Sequence, residues 1–444
     1  MILLKDGNVL NMTTGLFEQK DILLHGDTIL QVSADILVED VLIISCENLW
    51  LIPGLIDMHV HIKENFAQYF TAAGVTTVRN TAGSIIELEQ LMKAAADSFT
   101  PRVISADRMI DGPPGIWGAD SPYNVNITEE QAAREEVRRQ VALGAHFIKV
   151  YGWLDPMIME IVVDEARQFG KEVSCDILHS KKMHALDAAK MGIKWVEHCS
   201  GVLQAMYPNF TMNAPENVYA QIPWNEPDEA LIQDICKQLL QYDVAFCPTL
   251  TLYDQLNLVD QYWKPEHLIA NHIHEIGSLI KMWENQLTYG DQLKKLGQHV
   301  KTIQKIAHTY FKMGGTVVAG TDTPAGIFTY PGLALHRELQ LFVEAGFTSF
   351  EAIFAATSKA AQALNIPHLG KIQEGFTTDI LVLNDNPLKD IEQTMNIAYV
   401  VKGGQVHTPQ QLLNEILSEE EYELRYQKIV DKFNELGLTP TEKV

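Results

Sequence analysis

Two histidines one residue apart, His59 and His61, close an apolar run that begins after Pro53 and Gly54. A run opened by a Pro-Gly pair and closed by polar residues predicts a buried strand. Alternate side chains of a strand share a face, so Asp57, His59 and His61 are expected to point the same way. Two imidazoles at this spacing can chelate a Zn, Fe, Ni or Co ion, or they can simply form hydrogen bonds. The pair alone leaves both interpretations open.

A lysine lies inside a second apolar run, residues 147–152. Burying a lone ammonium is costly, so we expect Lys149 to be neutral, paired with a carboxylate or chemically modified. A neutral amine can add carbon dioxide to become a carbamate, an anion able to bridge two metal ions. Tyr151, two residues later on the same face, can donate a hydrogen bond to a substrate or simply pack at the mouth of the site.

Ligand-type side chains also close three further apolar runs. His198 ends one, Asp322 ends another, and a third carries Asp176 with His179 shortly after it. Taken singly, such a histidine is more often a core residue and such an aspartate more often a loop cap. Because several strand ends of one chain carry these residues together, a shared metal site explains them better than repeated coincidence.

Apolar strands alternate with helical segments after Pro53. The strand candidates are residues 54–61, 75–80, 102–107, 147–152, 173–177, 195–200, 244–250 and 316–322. The helical segments include residues 128–143 with an N-cap at Thr128, 157–169, 183–191 and one long stretch over 265–313. Buried strands that are each followed by a helix predict a (β/α)8 TIM-like barrel of α/β class, with an open doubly wound sheet as the alternative.

Both ends of the chain have a different pattern, with short β-like runs separated by Gly, Asp and Asn turns. Among the short strands expected there are Met1–Leu4 and Val9–Leu10. The simplest account is a small β-sandwich domain built from residues 1–52 and 368–408, with the barrel, residues 53–367, inserted between them. Residues 409–444 are predicted to form a charged helical tail.

Composition narrows the possible partners. Hydrophobic residues make up 46% of the 444 residues, and 57 acidic residues against 34 Lys and Arg give a net charge of −23. This balance argues against nucleic acid and against an anionic membrane surface. Five scattered cysteines are expected to be reduced, and we find no secretion signal and no apolar run long enough to span a membrane. We expect a cytoplasmic protein that forms homo-oligomers and acts on a small molecule.

The sequence also contains several longer motifs, some of which include the residues at the strand ends. They are residues 54–61, 73–79, 147–151, 196–198, 320–324, 331–339, 351–357 and 402–404. With these motifs the chain resembles the metal-dependent amidohydrolase superfamily, in particular the imidazolonepropionase-like branch that includes Xaa-Pro dipeptidases and arginine or lysine carboxypeptidases. The resemblance covers most of the chain, up to about His407.

The resemblance implies a site with two divalent ions. His59 and His61 would bind one ion, a carbamate on Lys149 would bridge both, and His198 would bind the other. Asp322 would be both a ligand and the acid/base group. Zinc is the metal expected, with Mn, Co or Fe as alternatives.

One position departs from the family pattern, because the family normally places a further histidine where this chain has Asp176. Asp176 could bind the second ion directly, His179 could fold back over it, or the second site could be weak or empty. A direct aspartate ligand adds an anion and lowers Lewis acidity, so slower turnover or a preference for a harder ion such as Mn is expected.

The resemblance further implies hydrolysis of an amide-type C–N bond, with a dipeptide or an N-acyl amino acid as substrate. Asp322 and Tyr151 are the candidate catalytic residues. The alternatives are a deaminase or a cyclic-amide, ester or carbamate hydrolase, and a catalytically weakened relative that binds a small ligand. Arg79 can hold a substrate carboxylate, or it can pair with a carboxylate inside the barrel. The loop of residues 111–118 is a candidate lid or pocket wall.

Overall fold

The computed structural model describes residues 1–212, 214–259 and 261–438. The strands within these ranges are β1 (Ile2–Asn11), β2 (Leu16–His25), β3 (Thr28–Ser33), β4 (Leu42–Ser45), β5 (Trp50–Pro53), β6 (Leu55–Val60), β7 (Val75–Asn80), β8 (Arg102–Ser105), β9 (Met109–Asp111), β10 (Asn124–Asn126), β11 (Ile148–Tyr151), β12 (Val173–Asp176), β13 (Trp195–Glu197), β14 (Ala245–Cys247), β15 (Thr316–Val317), β16 (Ile380–Leu383), β17 (Ile397–Lys402) and β18 (Gln405–His407).

The helices connect these strands and extend beyond them. They are α1 (Ala67–Ala72), α2 (Ile85–Met92), α3 (Glu130–Leu143), α4 (Pro156–Gln168), α5 (Ala185–Met191), α6 (Val202–Met206), α7 (Glu216–Tyr219), α8 (Glu229–Leu239), α9 (Leu250–Asn257), α10 (Leu268–Ile273), α11 (Gly277–Leu287), α12 (Gly290–Gly297), α13 (Val300–Lys312), α14 (Leu333–Glu344), α15 (Ser349–Ala355), α16 (Ser358–Ala363), α17 (Pro409–Leu413) and α18 (Glu419–Glu435). Two short 3-10 helices cover Glu64–Phe66 and Ile391–Met395.

The middle of the chain forms two parallel sheets. One has the order β10-β9-β11-β12-β13-β14-β15 and the other the order β6-β7-β8. Each of the eight strand candidates contains one of these strands, although most observed strands are shorter. Every residue of β6, β7, β11 and β12 is buried, as expected for parallel strands covered on both faces. The class is therefore α/β with parallel sheets, as predicted.

Backbone hydrogen bonds connect the edges of the two sheets. The amide of Met58 donates to the Ala319 carbonyl at 3.0 Å, and Val60 forms a parallel bridge with Thr323. On the other side, the His146 amide donates to the Ser105 carbonyl at 2.8 Å. These bonds bring the carboxyl end of β6 beside the segment that follows β15.

The two ends of the chain share one sheet of eight strands, in which β5 pairs antiparallel with β16 and β4 pairs with β1 beside the main order β18-β17-β16-β5-β1-β2-β3. Hydrogen bonds therefore join strands from both ends of the chain into one sheet, and their arrangement as a β-sandwich stays a prediction. The two separate strands expected at Met1–Leu4 and Val9–Leu10 are wrong, since residues 2–4 and 9–10 all belong to β1. A register shift between Leu4 and Gly7 accommodates the turn-like residues within it.

Two helix predictions need correction. Thr128 is not the N-cap of α3, which has Glu129 at that position. The long helix over 265–313 is four helices, α10 to α13, which end and restart at three short breaks. A continuous helix of that length cannot fold back, whereas α12 packs across α9, with a Cβ built on Gly297 lying 2.2 Å from the Asn257 amide nitrogen.

Other expectations are met within the described residues. All five cysteines are buried and free. No described helix has the length and apolarity needed to cross a membrane. In the tail, α17 and α18 are helical as predicted, and α18 is bound to the rest of the chain through ion pairs of Arg425 with Glu64 and of Lys432 with Glu89.

The close crossing of α9 and α12 gives a stability prediction. Gly297→Ala should lower the free energy of unfolding by about 1–3 kcal/mol, because the new methyl group meets backbone atoms of Leu256 and Asn257 that cannot rotate away. Gly290→Ala in the same helix is the matched control, since no atom lies within 4 Å of its built Cβ. Urea denaturation of both variants measures the difference, and equal stabilities would contradict the packing described.

Candidate active site

Three side chains from two neighbouring segments meet at the end of β6. The Nε2 atoms of His59 and His61 lie 3.1 and 2.9 Å from Oδ1 of Asp322. The backbone holds this arrangement, because the Asp322 amide donates to the His59 carbonyl at 2.7 Å and Asp322 adopts a φ of 63°. Residues predicted from two distant parts of the sequence are thus brought into direct contact.

The hydrogen bonds of the two imidazoles fix which nitrogen carries the proton. Nδ1 of His61 lies 3.2 Å from the Ala82 carbonyl, and Nδ1 of His59 lies 2.7 Å from Oε2 of Glu197. A carbonyl and a carboxylate oxygen only accept, so both Nδ1 atoms donate. Each Nε2 faces Asp322, to which it donates when the ring carries a second proton; the neutral ring instead offers a lone pair there, which a cation between it and the carboxylate would bind.

His198 extends the same arrangement from β13. Its Nδ1 lies 2.7 Å from Oγ1 of Thr249, whose hydroxyl already donates to the Pro248 carbonyl, so His198 is the donor. Its Nε2 faces Oδ2 of Asp176 at 3.6 Å and Oδ2 of Asp322 at 4.0 Å. Burial lowers the pKa of His198, which favours the neutral ring that metals bind. Among the described residues, His59, His198 and Asp322 place their ligand atoms within 4.8 Å of one another.

Asp322 is the carboxylate at the centre of this cluster. Burial alone would raise the pKa of Asp322, but the imidazoles of His59 and His61 hold it well below its usual range. The group is therefore an anion at neutral pH. Asp322 is only 6% exposed, so its carboxylate lies at the bottom of the site.

Lys149 lies on β11 with no exposed surface. Its Nζ has no hydrogen-bond partner in the described part of the chain, and no carboxylate there pairs with it. Its Nζ lies 5.3 Å from the centroid of the Tyr151 ring. A buried amine without a partner is the state from which a carbamate can form, so the residue fits the bridging role that the resemblance implies.

The two candidates of β12 occupy different positions. The Asp176 side chain is buried against His198, and its Oδ1 also accepts from the Leu178 amide at 3.0 Å. His179 is partly exposed. Burial lowers its pKa, although the charges of Asp176 and Asp111 act in the opposite direction. The geometry brings Asp176, rather than His179, against the cluster.

Glu197 is the functional residue that sequence reasoning missed. Besides His59, its carboxylate accepts from Nη1 of Arg79 at 2.8 Å and from Oγ of Ser174 at 2.6 Å. Burial would raise the pKa of Glu197, but Arg79 and His59 hold it well below its usual value. The available signal was a carboxylate directly before His198 in a buried strand.

Arg79 therefore pairs with an internal carboxylate, one of its two predicted roles. Its guanidinium lies 4.2 Å from the ring centroid of Phe147 and 4.3 Å from that of Trp195, and the side chain is fully buried. Such a position leaves no route to a substrate carboxylate.

Asp57 was expected on the same face as the two histidines, but its oxygens bind Thr321. Oδ2 accepts from the Thr321 hydroxyl at 2.7 Å and Oδ1 from the Thr321 amide at 3.1 Å, while burial raises its pKa to about 7. The residue thus fixes the segment before Asp322 in place.

Tyr151 lies near the cluster, where burial and the negative charges of Asp176 and Asp322 raise its pKa well above the usual value. It is 5% exposed, and the Trp117 ring meets it edge-on at a centroid distance of 6.4 Å. Trp117 itself is 58% exposed, on a loop whose Ile116 amide donates to Asp111 at 2.9 Å. The loop thus places an aromatic side chain next to Tyr151, and its role as a lid or pocket wall stays a prediction.

Charge at position 197 should control metal affinity. Glu197→Gln keeps the shape but weakens the hold on His59 and leaves Arg79 without its counter-ion, so affinity for Zn²⁺ is expected to fall roughly 10- to 100-fold. Titration of metal-free protein by calorimetry measures this. Glu165→Gln is the control, because Glu165 is a buried carboxylate bound to Arg134 and Arg138 on the outer face. Unchanged affinity in Glu197→Gln would contradict the positioning role.

Comparison with known proteins identifies the family of the chain. The model of the Amidohydrolase family matches residues 50–407. Ochratoxinase from Aspergillus niger is 26% identical over 313 residues, which cover 66% of this chain and 52% of that enzyme. The matched part therefore spans about half the length of this relative.

Solved structures share the fold at lower identity. A Xaa-Pro dipeptidase with bound methionine in its active site has a TM-score of 0.68 and 19% identity, covering 91% of this chain and 99% of that one. A prolidase complexed with N-methylphosphonate-L-proline has a TM-score of 0.65 and 18% identity over the same shares. These likenesses concern the fold.

Proposed function

The chain belongs to the amidohydrolase family, and we propose that it is a metal-dependent hydrolase that cleaves an amide-type C–N bond. The observation that carries this proposal is the convergence of three imidazole Nε2 atoms, from His59, His61 and His198, on the Asp322 carboxylate. Imidazole nitrogens and a buried carboxylate are donors that a divalent cation binds, and the cation would take the place of the protons on those nitrogens.

We propose that the two parallel sheets form one (β/α)8 barrel over residues 53–367, with the shared sheet of the chain ends as a second domain. The hydrogen bonds of Met58 with Ala319 and of His146 with Ser105 support closure on both sides. Active sites of such barrels lie at the carboxyl ends of the strands, which is where the cluster is found.

The ligand set we infer follows from these positions. His59 and His61 would hold one ion, His198 and Asp176 the other, and a carbamate on Lys149 would lie between them, with Asp322 as a further ligand. Asp176 is preferred to His179 because only its carboxylate faces Nε2 of His198, at 3.6 Å. Two zinc ions fit nitrogen and oxygen donors of this kind, and Mn, Co or Fe also do.

Bound divalent ions would supply Lewis acidity, polarising a carbonyl and making water a better nucleophile. The chain's own residues then handle the proton. Asp322 is anionic and lies next to both imidazoles, so it can accept the proton of the attacking water and deliver it to the leaving nitrogen. Tyr151 can donate its hydroxyl hydrogen to the oxyanion that develops on the carbonyl.

We propose a dipeptide or an N-acyl amino acid as the substrate class. The family relationship and the names of the relatives, ochratoxinase and Xaa-Pro dipeptidase, support small amides. The net charge of −23 fits a small molecule better than nucleic acid as the partner.

Removing the proposed acid/base group should abolish most of the activity. Asp322→Asn cannot accept a proton, so kcat for an N-acyl amino acid is expected to fall roughly 10²- to 10⁴-fold in metal-replete protein. Steady-state kinetics together with elemental analysis separate lost chemistry from lost metal. Asp164→Asn, at an exposed carboxylate, is the control. If hydrolysis stays intact in Asp322→Asn, the proposed role is wrong.

The bridging role of Lys149 makes a separate prediction. Lys149→Met keeps the length of the side chain but cannot form a carbamate, so bound zinc should fall from two ions to at most one per chain. The metal-free protein should lose no stability, since the amine it replaces has no partner.

Lys402→Met is the matched control for this change. Nζ of Lys402 is bonded to the Ala96 carbonyl at 2.6 Å and the Ser98 carbonyl at 3.2 Å, so its removal should destabilise the protein and leave the metal content unchanged. Two zinc ions bound to Lys149→Met, measured by plasma mass spectrometry, would overturn the carbamate proposal.

A further inference from the structure

A buried carboxylate that the proposed reaction does not use lies at the start of α9. It belongs to Glu338 of α14, which has no exposed surface. Its Oε1 accepts from the Leu250 amide at 2.9 Å, and its Oε2 accepts from the amide and the hydroxyl of Thr251 at 2.7 and 2.9 Å. Burying a carboxylate is costly unless it is well hydrogen bonded, and these bonds join it to the first two residues of α9.

Glu338 supplies the side-chain cap that α9 does not provide for itself. The first amides of a helix have no partner within the helix, and the side chain of the preceding residue usually accepts from one of them. That residue is Thr249, a type favoured at this position, yet its side chain makes no capping bond. Its Oγ1 instead accepts from Nδ1 of His198 at 2.7 Å and donates to the Pro248 carbonyl at 2.8 Å. The Thr249 hydroxyl is available to orient His198 because a carboxylate from another helix satisfies the amides.

The backbone of Thr249 also needs support from its neighbours. It has a φ of 51°, in the left-handed region where a β-branched residue is strained, and such strain persists only where the surroundings hold the chain. The two amides bonded to Glu338 follow Thr249 directly. On the other side, the His198 amide donates to the Cys247 carbonyl at 2.8 Å. Without Glu338 the segment can relax, and the Thr249 hydroxyl then moves away from Nδ1 of His198.

The two imidazoles of the cluster are therefore supported by different carboxylates. Nδ1 of His59 lies 2.7 Å from Oε2 of Glu197, in direct contact. At His198, the Thr249 hydroxyl and the first turn of α9 stand between the imidazole and Glu338. Loss of Glu338 should therefore affect His198 and leave His59 unchanged.

We propose that Glu338 is a positioning residue for His198, which it serves by holding the start of α9. The Thr249 hydroxyl thereby keeps Nδ1 of His198 as the hydrogen-bond donor and leaves Nε2 facing Asp176 and Asp322. The proposal rests on the proposed function, in which His198 binds the second ion. It adds to that function a residue that controls the occupancy of one ion and not of the other.

Zinc titration of full-length Glu338→Gln tests the proposal. An amide nitrogen cannot accept a hydrogen bond, so either orientation of the Gln side chain turns its NH₂ group against the backbone N–H of Leu250 or Thr251. Calorimetry of the metal-free variant with Zn²⁺ should show one ion bound as in the wild type. The affinity for the other ion should fall roughly 10- to 100-fold.

A measurement on the metal-free protein gives a second readout that does not involve zinc. Nitrogen-15 shifts of labelled histidine rings report which nitrogen carries the proton, and His198→Gln assigns the signals of His198. At about pH 9 the ring is neutral, and the wild type should carry the proton on Nδ1. In Glu338→Gln the proton should move to Nε2, because Nδ1 loses its acceptor while Nε2 still faces the carboxylate of Asp176.

Thr251→Val is a milder variant that keeps the test decisive if Glu338→Gln does not fold. It removes the hydroxyl bonded to Oε2 of Glu338 and keeps both amide bonds. The affinity for the second ion should fall roughly threefold, with a partial shift of the His198 proton to Nε2. Wild-type values for both in Thr251→Val would overturn the proposal in that case.

Asp228→Ala is the control for the loss of a helix cap. Asp228 accepts from the amides of Ala230 and Leu231 at 2.9 and 3.1 Å, at the exposed start of α8. Its loss should lower the melting temperature, as the loss of a cap does. Zinc binding and the His198 signals should stay as in the wild type.

The possible results separate this proposal from the proposed function. Wild-type signals of His198 in Glu338→Gln, or an equal loss of affinity for both ions, would overturn the positioning role. If the His198 proton moves as expected but zinc-loaded wild type does not hydrolyse N-benzoylglycine, the positioning of His198 stands and the proposed hydrolysis fails. A moved proton together with a selective loss of one ion supports the positioning role.

Discussion

The buried ion pair between Arg79 and Glu197 holds the centre of this structure together. Arg79 comes from β7 and Glu197 from β13, so the pair crosses from the small parallel sheet to the large one. Glu197 also binds His59 on β6 and Ser174 on β12. Burying two charges is costly unless each is well hydrogen bonded, and losing one partner of such a pair costs about 3–5 kcal/mol. The Glu197 carboxylate thus connects the four strands β6, β7, β12 and β13 and orients the His59 imidazole.

Much of this arrangement could be predicted from local patterns. The apolar runs predicted every described strand of the two parallel sheets except β9 and β10. Polar residues at the ends of those runs identified His59, His61, His198 and Asp322. The role of Glu197 could not be found in the same way, because it depends on Arg79, which lies far away in sequence. The breaks between α10 and α13 were missed because helical periodicity continues through them, and packing against α9 decides where the chain turns.

Asp176 alters the charge balance of the proposed centre. With Asp322 and a carbamate on Lys149 it would give three anionic groups around two divalent ions, where a histidine would leave two. The extra anion would make metal binding stronger and the bound ions weaker Lewis acids. The family's usual histidine is thus not essential to the packing of this site, since Asp176 satisfies its second oxygen through the Leu178 amide.

The pairing of β5 with β16 has a consequence for how the chain is made. During synthesis β5 emerges long before Ile380–Leu383, its partner strand, has been translated. Until then the strand directly before β6 presents an unpaired edge, which is a template for association with other chains. The strand that carries His59, β6, therefore gains the support of the completed sheet only late in translation. The site can reach its final form only after residues 380–383 have been made, although all of its candidate ligands are translated earlier.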